Sequence, residues 1–512
     1  MATTTPSAYP TDSIKSAKAK FSYGIFAICF LFSFVVQFFI DYDSPLHYGF
    51  KHIDGAWFLM CGKAMMNGLV PYVDFTDSKG PLLWLFNGIG YLIYPRGYEG
   101  LYVLFSIYYS FILYFCYKTI RIAIDCSRNY ALLATFAMSV IYFVWCHDEM
   151  RCEDLCQLPL IYSLYRLTLA IKQPRSTASA IAPFLIGIGI GCCVMIKWNQ
   201  ALLLCLIPLS LIAISWKEGT RPLPIIIYTL AGICCALLPW LVYFLVEGNL
   251  YAFIHEYFLN TFKTFEGSNQ NFSETVATSL TRLLTSQRCI GLIFVIAPLY
   301  VFRGYGWKAL LPSLCALCYL VMLTYVGADY YMTGMSSFAI FTMIAAVCLS
   351  QRVISRLSTT LLVIASILII GLNAAYAIRY HMNFKYLNDY KNPEFFILND
   401  MIASVPDARI LHFDYYEQGL GLTSRTLPAC KYWSVQSGGE SFSRQDQLSA
   451  ISSRKPDFIT VQSVEANKID DDKRLLLDRY GYTYIGSMKD YFGLRCNLYA
   501  KKEHGIKSPL LE

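Results

Sequence analysis

About eleven stretches of the chain are apolar for long enough to cross a hydrocarbon layer, and nothing else in it restricts the fold so strongly. A spanning helix takes about 20 such residues, because lipid offers no partner for backbone N–H and C=O groups. The runs lie at approximately 21–40, 101–117, 130–146, 155–171, 178–196, 199–215, 222–246, 289–302, 309–327, 331–350 and 358–378. Charged types make up only 15% of the 512 residues, against about a quarter in soluble domains. Disorder, coiled coil and an ordinary cytosolic enzyme are therefore excluded. The expected fold is an all-α polytopic membrane protein of about 11 transmembrane helices.

Basic residues orient it, since Lys and Arg collect in cytoplasmic loops. Residues 1–20 form a polar tail ending in Lys15, Lys18 and Lys20. The run after it is too long for a signal-peptide core and lacks a small-residue cleavage site, so it reads as an anchor. With the N-terminus inside, the inner loops carry Lys118, Arg121 and Arg128; Arg166, Lys172 and Arg175; Lys217 and Arg221; Arg303 and Lys308; Arg352 and Arg356. The opposite orientation fits much worse. The expected organisation is a helical domain over 21–380 with an outer loop at 41–100, a non-cytoplasmic α/β domain over 381–505, and a short tail, 506–512. In that α/β domain Asp407 to Phe413 and Pro456 to Val461 read as buried strands, and Glu394 to Ala403 and Lys473 to Tyr480 as helices. Gly438-Gly439 marks a turn. Most of the 18 cysteines fall inside apolar runs, as small hydrophobes. Cys430 and Cys496 lie in the polar C-terminal segment, where an oxidising compartment would let them pair.

The carboxylates near the spans all fall on the outer side in this topology. Asp41, Asp43, Asp54, Asp74, Asp77 and Glu99 belong to the first outer loop; Asp148, Glu149, Glu153 and Asp154 to the second; Asp329 to the loop before the tenth span. Carboxylates beside a membrane core are costly and usually functional. One-sided placement points to a site at the outer leaflet and not to a path across the membrane, although any single Asp also fits a solvated loop. A third outer segment, 247–288, has a helical amphipathic stretch around Phe253 to Phe265.

The first loop is the most specific part. Ile53 to Met66 has helical spacing with Trp57, Met60 and Ala64 on one face, and Asn67-Gly68 ends it. Pro71-Tyr72 reads as an extended turn. Asp74, Asp77 and Lys79 follow, and Gly80-Pro81 opens an apolar segment too short to span, which suits the membrane interface. This loop resembles the first outer loop of the GT-C superfamily of polytopic glycosyltransferases, above all the bacterial branch related to protein O-mannosyltransferases and the aminoarabinose transferase of lipid A (glycosyltransferase family 39-like). The matching residues are Asp54, Trp57, Gly68, Pro71-Tyr72 and Lys79-Gly80-Pro81-Leu82-Leu83. Weaker likenesses are Glu153 with Leu158-Pro159-Leu160 and Tyr165, and a Gly-rich run, Gly187, Gly189 and Gly191, ending at Lys197. The chain has Asp329-Tyr330-Tyr331 where related sequences often show His-Tyr.

The resemblance implies a sugar transfer from a polyprenyl-phosphate donor to a glycan, lipid or protein acceptor on the non-cytoplasmic face of a bacterial inner membrane. Asp54 would be the catalytic residue. A phosphate leaving group needs no strong general acid, so a base for the acceptor hydroxyl and positive charge for the phosphate suffice. Lys79, Lys197 and Arg288 are the phosphate candidates, each also fitting a side chain that snorkels to the interface. Glu153 is the second catalytic candidate, to orient the acceptor or hold a divalent cation with Asp54; Glu149 is its near competitor. Trp57, Tyr72, Asp74, Asp77, Glu149, Asp329 and Tyr330 are candidates for substrate contact. No zinc spacing is present, and the sequence leaves dependence on a divalent cation open. There is no cytoplasmic DxD and no Gly-rich phosphate loop, which suits a lipid-linked donor, and no sign of nucleic-acid binding. The rivals are a transporter, which should show repeats and midplane charges, a lipid-linked glycan ligase, which should centre on a long late loop rich in Arg and His, and a non-catalytic assembly subunit. The loop 247–288, with His255, Lys263, Arg282 and Arg288, lends the ligase modest support.

Overall fold

The computed structural model describes residues 21–41, 43–46, 53–124, 126–145, 151–174, 180–260, 277–278, 281, 289–326, 332–350, 358–380, 393–415, 419–422, 424–435, 440–489, 493–507 and 510. Its helical part comprises α1 (Tyr23–Ile40), α2 (Ile53–Met66), α3 (Pro81–Ile93), α4 (Glu99–Ala123), α5 (Arg128–Trp145), α6 (Cys152–Leu155), α7 (Gln157–Lys172), α8 (Ile181–Leu204), α9 (Leu206–Lys217), α10 (Leu223–Val246), α11 (Ile290–Val301), α12 (Leu310–Val326), α13 (Ala339–Ser350) and α14 (Thr359–Tyr380). Every apolar run of the sequence is helical over most of its described length. Six helices among the described residues are long and apolar enough to cross a membrane, while α3, α11 and Thr359–Ala375 are shorter. The chain is a multi-pass membrane protein.

Small residues set the closest helix pair, α8 against α10. A Cβ on Gly187 would meet the Thr229 carbonyl at 2.1 Å, one on Gly232 the Phe184 carbonyl at 2.1 Å, and one on Gly191 the Ala236 Cβ at 2.6 Å. Without a hydrophobic drive between helices in lipid, such close backbone approach supplies the packing. The next Gly of the row, Gly189, faces Pro159 of α7. The glycine run is thus a packing seam.

The C-terminal domain holds α15 (Pro393–Ala403), β1 (Arg409–His412), β2 (Leu427–Pro428), α16 (Glu440–Ser452), β3 (Phe458–Ser463), α17 (Asp471–Arg479), β4 (Tyr482–Lys489) and β5 (Arg495–Lys501). The sheet order is β2-β1-β3-β5-β4; β1 runs parallel to β2 and β3, and β5 antiparallel to β3 and β4. The expected α/β character holds, with β2, α16, β4 and β5 added to what the sequence pattern predicts. Gly438-Gly439 lies outside the described residues. Cys430 and Cys496 are free thiols, so the conditional pairing is not made.

This domain sits on the end of the helices that carries α2. Lys63 Nζ, fully buried, donates to the Gly421 carbonyl at 2.6 Å. Lys431 Nζ pairs with Glu256 Oε1 at 2.6 Å, on a π-helical turn, Ile254–Leu259, that takes up the start of the third outer segment. The indoles of Trp57 and Trp433 stack with centroids 4.5 Å apart. Capped in this way, α2 is buried on all sides and not on one face alone: Ala56, Trp57, Phe58, Leu59, Met60, Cys61, Lys63 and Ala64 are all inside.

Candidate active site

The site begins at a break in α8. Its backbone leaves helical geometry at Lys197 (φ −157°, ψ 98°). An interrupted helix strands the carbonyls of the preceding turn, which then need other donors. Tyr257 donates its hydroxyl to the Val194 carbonyl, and the Gly80 N–H reaches the Ile196 carbonyl at 2.9 Å. A Cβ at position 80 would lie 2.0 Å from the Met195 carbonyl oxygen, so only Gly allows this approach. The first loop is thereby pinned to the break, and Lys79 and Lys197 come to the same place.

The loop's own residues hold Lys79 there. Tyr72 takes a left-handed φ of 68°, a strained choice for a bulky residue. Its N–H bonds to the Phe75 carbonyl at 2.6 Å and its hydroxyl donates to the Lys79 carbonyl at 2.8 Å. Tyr72 is fully buried among Trp84, Phe244, Phe253 and Tyr257. It is therefore a plug that shapes the turn, where the sequence suggested an extended turn and a substrate contact. Asp74 likewise closes the turn, its Oδ2 accepting from Val70 N–H at 2.7 Å. Trp57 is buried, stacked on Trp433, and donates Nε1–H to Asp77 Oδ2 at 3.2 Å, so it cannot offer a sugar an open face.

Asp77 Oδ1 lies 3.8 Å from Lys79 Nζ, which also donates to Ser78 Oγ at 3.2 Å and lies over the Phe58 ring. Burial, the largest single influence, and Lys197 would lower the Lys79 pKa, but Asp77, Cys152 and Asp54 together outweigh them and the net direction is up. Asp54, on the first turn of α2 and half-buried, thus belongs to the same electrostatic group.

Lys197 pairs with Glu153 Oε1, and the other oxygen of Glu153 accepts from Cys152 Sγ at 2.9 Å. Burial pushes the Glu153 carboxyl up, yet the Lys197 ammonium and the Cys152 hydrogen bond carry it below its ordinary range. Both oxygens of Glu153 are thus engaged, one by Lys197 and one by Cys152. Among the described residues no three His, Cys, Asp or Glu side chains gather as a metal site. Asp154 caps α6 through the Arg151 N–H at 2.8 Å.

A cavity of about 410 Å³ lies among α3, α4, α7 and α8. Its wall is apolar, with Leu82 and Phe86 of α3, Tyr108 of α4, Leu158 of α7, and Leu185 and Ile196 of α8. Ile196 directly precedes Lys197, and another wall residue, Leu155, is two positions from Glu153. The apolar slot is thus walled by chain neighbours of the lysine pair, Leu82 on the side of Lys79 and Ile196 on the side of Lys197.

Glu149, Arg288, Asp329 and Tyr330 lie outside the described residues. Two residues that sequence reasoning passed over belong to the site's frame. Gln157, buried one turn after Glu153, donates Nε2 to the Thr333 carbonyl at 2.6 Å and to Ser336 Oγ at 3.2 Å. Lys63 anchors the C-terminal domain. A Lys in the middle of an apolar helix was the available signal for Lys63; for Gln157 the only one was an amide at the head of an apolar run.

No protein-family model matches the sequence, and no curated protein does. Solved structures do match. ArnT from Cupriavidus metallidurans in the apo state aligns over 93% of this chain and 97% of its own, at 12% identity and a TM-score of 0.57. The same protein bound to undecaprenyl phosphate aligns over the same shares at 12% identity and 0.56. This chain has the ArnT fold. The likeness in fold extends well beyond the first loop, over 93% of the chain. The protein O-mannosyltransferase Pmt1-Pmt2 complex of S. cerevisiae, bound to its sugar donor, matches over 47% of this chain and 36% of its own at 16% identity; its TM-score of 0.34 is too low to speak for a common fold.

Proposed function

We propose that the chain is a membrane glycosyltransferase that moves a sugar from a polyprenyl-phosphate donor to an acceptor hydroxyl at the non-cytoplasmic face. The observation that carries the reading is the junction at which the Gly80–Ile196 contact brings Lys79 and Lys197 together, with chain neighbours of both, Leu82 and Ile196, lining an apolar cavity. A polyprenyl phosphate is a long apolar chain ending in an anion, and the junction has that pattern in complement. ArnT, whose fold this chain shares, has been seen with undecaprenyl phosphate bound.

In the proposed reaction the Asp54 carboxylate takes the proton of the acceptor hydroxyl. The freed oxygen attacks the anomeric carbon, the bond from that carbon to the phosphate oxygen breaks, and its electron pair leaves on the polyprenyl phosphate. Lys79 and Lys197 offset that charge, held in place beforehand by Asp77 and Glu153, and such preorganised charge is often the largest catalytic contribution. Displacement by one base inverts the anomeric centre. The distribution of Lys and Arg supports the outer face as the side of reaction, and the resemblance of the first loop supports a bacterial inner membrane as the setting.

The test uses the purified chain with polyprenyl-phosphate-linked sugars. Asp54→Asn should lower kcat about 10²–10⁴-fold while donor binding is kept, and the product should have inverted configuration. Unchanged turnover in Asp54→Asn, or a product of retained configuration, contradicts the proposal.

A further inference from the structure

Trp433 follows β2 in the C-terminal domain and is completely buried. Its carbonyl accepts from the His412 N–H at 2.8 Å, which ties it to the end of β1. Its ring lies flat on Trp57, the planes within 4° of each other. Trp57 donates to Asp77 at 3.2 Å, and Asp77 faces Lys79 at 3.8 Å. Four contacts thus run from the sheet of the C-terminal domain to the Lys79 ammonium. Two neighbouring ties, Lys431 to Glu256 and Lys63 to Gly421, fix the two ends of the interface on which the stack depends.

The indole N–H of Trp433 is buried with no hydrogen-bond partner among the described residues. A stranded donor is a cost that a phenyl ring of similar flatness would not carry. What the indole adds in return is ring area against Trp57, and stacked aromatic pairs are favourable beyond their area burial.

We propose that Trp433 is a positioning residue: it sets the plane of the Trp57 indole, and through Asp77 the place of Lys79. The C-terminal domain is then a working part of the phosphate site. The functional meaning rests on Lys79 as a ligand of the donor phosphate, whereas the wiring from Trp433 to Lys79 is measurable without a donor.

The experiment uses the full chain in detergent, as wild type, Trp433→Ala, Trp433→Leu and Trp433→Phe. Lys79 is labelled with an amine-reactive ester, which only the neutral amine attacks, and its rate is read by peptide mass spectrometry. Once Trp57 tilts, Asp77 no longer faces Lys79, and labelling should quicken about threefold or more in Trp433→Ala and Trp433→Leu, matching a pKa fall of about half a unit. Trp433→Phe should stay close to wild type, and Lys468 on the domain surface should label equally in all four. Undecaprenyl phosphate should bind about tenfold more weakly to the Ala and Leu variants, a change of about 1.4 kcal/mol. Trp433→Leu keeps an apolar side chain there and carries the test where Trp433→Ala does not fold. A Lys79 rate equal to or below wild type in the folded variants overturns the proposal. Absence of lipid binding by the wild type would overturn the donor reading, with the labelling still deciding the wiring.

Discussion

Two lysine–carboxylate pairs whose lysines are equally exposed, at 12%, have opposite characters. In the C-terminal domain Lys501 Nζ meets Asp457 Oδ1 at 2.8 Å; His504 Nε2 joins the same oxygen at 3.1 Å, and the Arg409 N–H takes Oδ2 at 2.8 Å. The Asp457 carbonyl accepts from the Lys501 N–H at 3.1 Å, so the pair closes on the sheet and leaves nothing for a ligand. Lys197 and Glu153 pair at a helix break, next to a second lysine, and Ile196, which precedes Lys197, lines an apolar slot. The first arrangement fastens strands. The second keeps positive charge ready where an anion with a greasy tail would end. An ion pair therefore says little about function until its surroundings are read, since satisfied pairs are often close to neutral in stability.

Breaking each pair in turn sharpens the contrast. The largest effect is expected from Glu153→Gln, which leaves the Lys197 ammonium buried without its carboxylate; the chain should lose about 3–5 kcal/mol of stability and its donor affinity, read by thermal melting and undecaprenyl phosphate titration. Lys197→Met should weaken donor binding about 100-fold, or about 2.7 kcal/mol. Lys501→Met should cost about 1–2 kcal/mol of stability and leave turnover unchanged. A turnover loss in Lys501→Met with the fold intact would erase the distinction.

Acidification comes next in size. Burial raises the Asp457 pKa, but Lys501, the Arg409 N–H and His504 bring it below its ordinary value. A group depressed in the folded state stabilises above its unfolded pKa, and that contribution is lost as pH falls through the folded one. Melting of the chain should therefore weaken as pH drops below the usual carboxylate range, and Asp457→Asn should flatten part of that slope. Glu153, depressed for a similar reason, should account for another part, together with loss of donor binding over the same acid window. The smallest effect belongs to Ser78→Ala: Ser78 is exposed and its hydroxyl merely bridges Asp77 and Lys79, so a change under about 0.5 kcal/mol is expected in melting and in binding.

Much of this was legible in the sequence because it rests on local pattern. Apolar run length found the helices, Asn67-Gly68 found the end of α2, and Gly80-Pro81 the start of α3. Buried strand signals found β1 and β3. The short edge strand β2 is only two residues, too few for any periodicity. The break at Lys197 has neither Pro nor Gly to announce it; it exists because Gly80 and Tyr257, far away in the chain, supply the missing donors. The roles of Tyr72 and Trp57 were misjudged for the same reason. Both stand at positions suited to a ligand, and only tertiary packing shows that Phe253 and Trp433 already occupy their faces. Glu153 was visible as an acid near a span, but its partner lies 44 positions on.

The central claim is that a lipid phosphate ends between Lys79 and Lys197. A structure of the chain with undecaprenyl phosphate tests it directly. The account predicts phosphate oxygens within about 4 Å of both ammonium nitrogens and the first prenyl units in the slot lined by Leu82, Leu158 and Ile196. A lipid bound with its phosphate at the opposite end of the helices, or with both lysines untouched, would contradict it.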